Sequence, residues 1–281
     1  MAESIKHIRR NYNIYSVKLL WHALRNFLVP IDYTRIKEIP TLLDLSNIFN
    51  DERDNLKILD IASPQLLSTT LARYNKTWKI SYLNPFQDEV NDIEIRKKIL
   101  RLENITTIKE DIKNRELSIK PGEFDYIFSC SVFEHIHPEQ DGDIEAIQNI
   151  KSLLKPGASF FISIPFYLQA FNEYKNSDVY QIKNTSGEKI FFQRFYDTKS
   201  LESRIIVPSG LQKTSEIYIG ERYYHKKNID KRLGVFFSKG FQSVLFGRLF
   251  RIISGIFMET SNKSETLSKP YLAFLKLTRN D

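Results

Sequence analysis

An α/β protein with a doubly wound, mostly parallel seven-stranded sheet is the fold class this 281-residue sequence predicts. One observation behind it is rhythm: from Lys57 to Phe166, short runs of branched and aromatic residues alternate with helix-length amphipathic stretches. A second is that these runs are continuously apolar, as in strands covered on both faces. A third is the pair of late runs SEIYIGERYY and PYLAFLKL, which predict a C-terminal antiparallel hairpin.

Taken in order, Ile14, Val17, Leu20, Trp21, Leu24 and Leu28 fall at helical spacing, and Ile39 to Phe49 adds a second apolar segment, so residues 1–52 are predicted as an N-terminal helical segment. The sheet domain, 53–281, opens at LKILDIAS, a buried strand feeding a tight turn. A helix near Leu66 to Arg73, a strand from Trp78 to Leu83, a helix from Val90 to Leu102 and a strand from Ile105 to Lys109 follow. The strand FDYIFSCS, a helix from Gly142 to Leu154 closed by Lys155-Pro156-Gly157, and the strand SFFISIPF complete the parallel part. Beyond Pro165, Asp197 to Ile206 reads as one helix with a stop at Pro208-Ser209-Gly210. About forty-five residues separate the last two strands, far more than a hairpin of two to five needs, so an insertion is expected within the hairpin.

Composition narrows the function classes. With 42% hydrophobic and 27% charged residues the chain is too apolar for a disordered tail and too charged for a bundle of membrane spans. The single cysteine, Cys130, excludes an internal disulfide and a cysteine-ligated metal centre within the chain, and no metal site is expected. Trp21, His22 and Arg25 interrupt the first apolar stretch, which therefore lacks the core of a signal peptide and points to a cytoplasmic protein. The net charge of +7 permits an anionic partner. Much of it lies in 224–268, where Lys226, Lys227, Lys231, Arg232, Lys239, Arg248, Arg251 and Lys263 face only Asp230, Glu259 and Glu265.

Within that basic amphipathic insertion, Phe237, Phe241, Val244, Leu245, Leu249, Ile252, Ile253 and Ile256 line one face of a predicted helix, 233–258. Its apolar arc is wider than one packed face requires, and its bases are too frequent for a membrane span. Peripheral membrane contact, a homodimer contact and burial in the fold all satisfy the pattern.

Four local signatures, KILDIAS, TTIKEDI, FDYIFSCSVFEHI and LLKPGASFFISIPF, occur here in sheet order. The last two, about twenty-five residues apart, are the most specific. The arrangement resembles the class I S-adenosylmethionine-dependent methyltransferases over roughly Leu56 to Gly220 plus the final strand. That resemblance implies S-adenosylmethionine as cofactor and places Asp60 near its charged methionine end, Ala62 and Ser63 in the first turn, Asn84 at the ribose, Asp111 and Ile112 at the adenine, and Ser129 and Ser131 at the end of the fourth strand. An Asp at position 60 also suits a simple helix cap, and Asp111 a solvated loop.

Two departures from the family pattern stand out. Ala62, Pro64 and Leu66 occupy the three glycine positions of the first turn, and the Pro64 ring fixes the backbone and removes a donor. Asn84 replaces the carboxylate that holds the ribose hydroxyls, which gives up a charge-assisted bond. A compensated turn that still binds the cofactor and a methyltransferase-like scaffold that has lost it are the two readings.

Glu134 and His135 are the catalytic candidates, because a hydroxyl acceptor must lose its proton as the methyl arrives and an imidazole is a natural base for it. A histidine that merely bonds a neighbour is the alternative. SVFEHI resembles the corresponding segment of small-molecule O-methyltransferases. Asn84-Pro85-Phe86 follows the second strand and not the fourth, so the motif of amino-group methyltransferases is rejected and no nucleic-acid partner is expected. The resemblance makes 166–195, rich in aromatics, the acceptor lid, and QRFYDTKSLESRIIVPSG resembles methyltransferases of bacterial saccharide clusters. A small-molecule or saccharide acceptor follows.

Overall fold

The computed structural model describes residues 6–7, 35–180, 182–185, 187–221, 258–267 and 269–281. Its sheet has eight strands: β1 (Lys57–Ile61), β2 (Lys79–Leu83), β3 (Ile105–Ile108), β4 (Phe124–Cys130), β5 (Leu154–Pro165), β8 (Gln212–Glu221), β9 (Met258–Ser261) and β10 (Pro270–Thr278), in the order β3-β2-β1-β4-β5-β10-β8-β9. The first five are parallel, while β10 runs antiparallel between β5 and β8. The predicted strands are all present. Among the described residues the sheet has eight strands, one more than expected, because Met258–Ser261, within the expected insertion, pairs antiparallel with β8 at the sheet edge. An edge strand is held by backbone bonds, and METS, with only Met258 buried, carries no strand periodicity to read.

Helices α2 (Leu66–Tyr74), α3 (Gln87–Leu100) and α4 (Gly142–Leu153) are the crossovers, and α1 (Arg35–Ser46) precedes the sheet. Ile39, Leu42 and Leu43 of α1 are fully buried in one core cluster with Ile58, Phe128, Phe161 and Phe274, so this part of the N-terminal segment packs on the sheet and is not a separate body. The opposite cluster joins Leu59, Ile127, Phe160 and Ile162 to Ala146, Ile147 and Ile150 of α4. Burial on both faces is what made these strands read as unbroken apolar runs. The segment expected as one helix from Asp197 starts with an Asp197 capping box as α5 (Thr198–Leu201). It widens into a π turn over Glu202–Ile206 ahead of Pro208, which has no N–H to give the carbonyl four residues back.

After β5 the chain forms a second, two-stranded antiparallel sheet, β6 (Phe171–Lys175) with β7 (Ile190–Phe195). The expected helix at 233–258 lies outside the described residues except Met258, which is in β9.

Candidate active site

The chain order reverses between β1 and β4, and a ligand site is expected beyond the carboxyl ends of these strands. A cavity of about 450 Å³ lies there. One part of its wall comes from Ile61, Ala62, Ser63 and Pro64 after β1, Leu83 to Phe86 after β2, Glu89 of α3, and Asp111 to Lys113 after β3. Arg35, Cys130, Ser131, Val132, His135 to His137, Tyr180 and Ile182 complete it.

The first turn forms without glycine. Ala62 adopts the left-handed conformation itself, with φ of 50°, and its N–H donates to Leu83 O at 2.8 Å. Asp60 is fully buried behind the turn, where it accepts bonds from the Ser63 N–H at 3.2 Å and from the Ser68 hydroxyl. Burial raises its pKa to about 6, against these bonds, which lower it. Pro64 precedes the first turn of α2, where an N–H has no intrahelical partner to lose, and its carbonyl accepts from Leu67 N at 2.9 Å. The Ser63 hydroxyl ties the turn to β4 by accepting from Cys130 N at 3.0 Å.

Asn84 is committed locally, its Oδ1 accepting from Phe86 N at 2.9 Å and its Nδ2 donating to the Tyr82 hydroxyl at 3.1 Å. The carboxylate on that wall is Glu89's, which also accepts from Gln65 Nε2 at 3.2 Å. Asp111 stands at the cavity edge, with Oδ1 accepting from Lys113 N at 3.0 Å.

At the other end, Phe133–His135 form one 3₁₀ turn. His135 Nδ1 lies 2.8 Å from the Phe192 carbonyl, which can only accept, so Nδ1 carries the proton and Nε2 the lone pair. Burial lowers the pKa of this ring to about 4, and it stays neutral at pH 7. Glu134 is 1% exposed, with Oε1 3.7 Å from His135 Nε2 and Oε2 without a hydrogen-bond partner among the described residues. Burial raises its pKa to about 8. Beneath them Glu38 of α1 pairs with Arg35 and accepts from the Ser131 hydroxyl and from Ser163 Oγ, the latter at 2.7 Å.

Residues 59–162 match the family model described as a methyltransferase domain. That stretch carries the methyltransferase domain. No curated protein matches the chain in sequence. Among solved structures, the fold is similar to that of MccD protein at a TM-score of 0.56 and 12% identity, over 86% of this chain and 96% of that one. It is similar to coclaurine N-methyltransferase bound to N-methylheliamine and S-adenosylhomocysteine, at 0.53 and 12%, over 85% and 71%. An S-adenosylmethionine-dependent methyltransferase from Clostridium acetobutylicum ATCC 824 gives 0.51 and 14%, over 89% and 93%.

Of the site residues expected from sequence, Ala62, Ser63, Asn84, Asp111, Ile112, Ser131 and His135 line the cavity. Asp60, Ser129 and Glu134 do not. Asp60 is spent on the turn, Ser129 is buried in β4 facing the Ile61 carbonyl at 3.4 Å, and Glu134 points into the interior beside Glu38 and Arg35. Sequence reading missed Arg35, Glu38 and Glu89, whereas Tyr180 belongs to the aromatic stretch 166–195 expected as the lid. A signal existed for the first two, since Arg35 and Glu38 are charges three apart on a helix turn that continues into Ile39, Leu42 and Leu43.

Proposed function

We propose that this methyltransferase moves a methyl group from S-adenosylmethionine to a hydroxyl of a small or saccharide acceptor, with His135 as the base. The observation that carries the proposal is the His135 ring, neutral on the cavity wall with Nδ1 engaged by the Phe192 carbonyl and its lone pair on Nε2.

The residues present fit the cofactor, because Ala62 supplies the left-handed backbone usually given by glycine and leaves only a methyl group on the wall. Asp111 and Ile112 would hold the adenine, Asn84 and Glu89 the ribose hydroxyls, and the turn braced by Asp60 the methionine end. When bound, the sulfonium supplies an electrophilic methyl group. Nε2 of His135 would take the acceptor's hydroxyl proton, which becomes strongly acidic as that oxygen gains the methyl group. A ring with a pKa of about 4 suffices for so acidic a proton. An ammonium acceptor with a pKa near 10 would not surrender its proton to such a ring before attack, and this favours oxygen over nitrogen.

Saccharide acceptors draw support from the aromatic wall, where Tyr180 stacks between Phe86 and Phe192 at centroid distances of 6.0 and 6.3 Å. A cytoplasmic setting, and peripheral membrane or homodimer contact through 233–258, belong to the proposal on the sequence pattern alone. The test is turnover on a panel of hydroxylated and amine acceptors. His135→Ala is expected to lower it by roughly 10²–10⁴ with cofactor affinity barely changed, and the acid limb of the wild-type profile should lie near pH 4. Turnover on amines alone, or an unimpaired variant, contradicts the reading.

A further inference from the structure

Strand β7 sends two contacts to the loop that carries His135, and neither belongs to the methyltransferase domain match at 59–162. The first is the Phe192 carbonyl on Nδ1. The second is Arg194, 3% exposed, a charge in the aromatic run IFFQRF. Its guanidinium donates almost wholly to backbone: Nη1 to Ile136 O at 2.9 Å and more loosely to Glu134 O at 3.3 Å and Phe133 O at 3.5 Å, Nη2 to Pro138 O at 2.7 Å and Glu139 O at 2.8 Å. Its Nε lies 3.5 Å from Asp143 Oδ1, and that buried carboxylate is also held by Arg204 at 2.6 Å and the Tyr196 hydroxyl at 2.8 Å.

Five carbonyls gathered by one planar fork define where the chain from 133 to 139 runs, and hence where the His135 ring stands. A lysine ammonium, a point charge with three donors, cannot span that arc. Burying a guanidinium is costly, and an apolar residue would fill the same space for simple packing.

We infer that β7 is the positioning element of the active site, with Arg194 setting the place of the catalytic loop and the Phe192 carbonyl setting the tautomer of His135. This rests on the reading of His135 as the base. It makes the lid hairpin part of the catalytic apparatus as well as a cover.

Nuclear magnetic resonance of the ¹⁵N-labelled full chain tests it without an acceptor, the His135 signals being assigned by their loss in His135→Gln. In the wild type, His135 is expected as the Nδ1–H tautomer with a titration midpoint well below an ordinary histidine. The charged or titrating groups around it are Glu134 on its own turn, Arg35 of α1, Lys175 of β6, Arg194 of β7 and the Tyr180 hydroxyl. In Arg194→Lys, a protein expected to fold with a lowered Tm, the midpoint is expected to rise by about one unit or more and the tautomers to mix. Should Arg194→Ala fold, added guanidinium is expected to restore the wild-type spectrum. Unaltered tautomer and midpoint in a folded Arg194→Lys protein overturn the inference. Titration of the wild type with S-adenosylhomocysteine is scored separately. A protein that does not bind it loses the methyl-transfer reading, while the Arg194 comparison still stands or falls by itself.

Discussion

Ala62 and Ser131, at the ends of β1 and β4, both hold left-handed backbone, with φ of 50° and 51°, and both line the cavity. Non-glycine residues there carry a cost that other contacts must offset, and such residues gather at functional sites. Ala62→Gly should therefore stabilise the fold by about 1 kcal/mol, less what the freer unfolded chain takes back, as read from denaturant midpoints. Glu134 gives a pH signature. Its folded pKa of about 8 lies above the ordinary carboxyl value of 4.5, so its contribution is complete below 4.5 and is lost as pH rises through 8. His135 has the opposite sign: its folded pKa of about 4 lies below 6.5, so its contribution is present above 6.5 and is lost as pH falls through 4. Above pH 6.5 only Glu134 of this pair still titrates. The wild type should then lose stability relative to Glu134→Gln by about 1.4 kcal/mol per pH unit between 6.5 and 8, and parallel curves would place Glu134 in a more polar setting. Residues just beyond strand ends, such as Ala62, Asn84, Asp111 and His135, were legible because the family resemblance assigns roles to those positions. Arg194 was not, because the carbonyls it gathers lie 55–61 residues away and no local pattern encodes such pairs; the Arg35–Glu38 spacing was visible, but not the Ser131 and Ser163 that Glu38 binds 93 and 125 residues on.

At the scale of elements, the loop between β4 and α4 decides the site. It is held by Arg194 on one side and by the start of α4 on the other, where Gly142 N–H donates to Pro138 O at 2.8 Å. A Cβ on Gly142 would stand 2.5 Å from the His137 carbonyl carbon and from Ile136 O, both backbone atoms that cannot swing aside. Gly142→Ala should cost about 1–3 kcal/mol and displace the loop, lowering turnover more than cofactor affinity. Normal stability and turnover would show the loop to be free to shift. The strands of the sheet were legible because burial on both faces leaves an unbroken apolar run. The β6–β7 hairpin was not, since FNEYK is largely exposed and its alternation is lost among polar residues. The first turn was legible as a departure from the family. Its repair, by a left-handed alanine and by Asp60 bonded to Ser63 and Ser68, depends on φ angles and buried contacts that residue types alone do not specify.

Across the whole molecule, charge is concentrated in 224–268, of which the structure describes 258–267. Among the described residues no helix is long and apolar enough to cross a membrane. If the basic segment contacts anionic membrane, each base near the surface adds about 1 kcal/mol, and sedimentation with anionic vesicles should weaken with salt and with Phe241, Leu245 and Leu249 changed to Ser. A dimer that ignores vesicles and dissociates on the triple change would make the segment a subunit contact. On the proposed function, a first turn without glycine still holds the cofactor. Calorimetric titration of the full chain with S-adenosylhomocysteine tests it most directly. Saturable one-site binding is expected, weakened by Glu89→Gln and by Asp111→Ala in proteins that remain folded. Absence of binding to a folded wild-type protein would contradict the account.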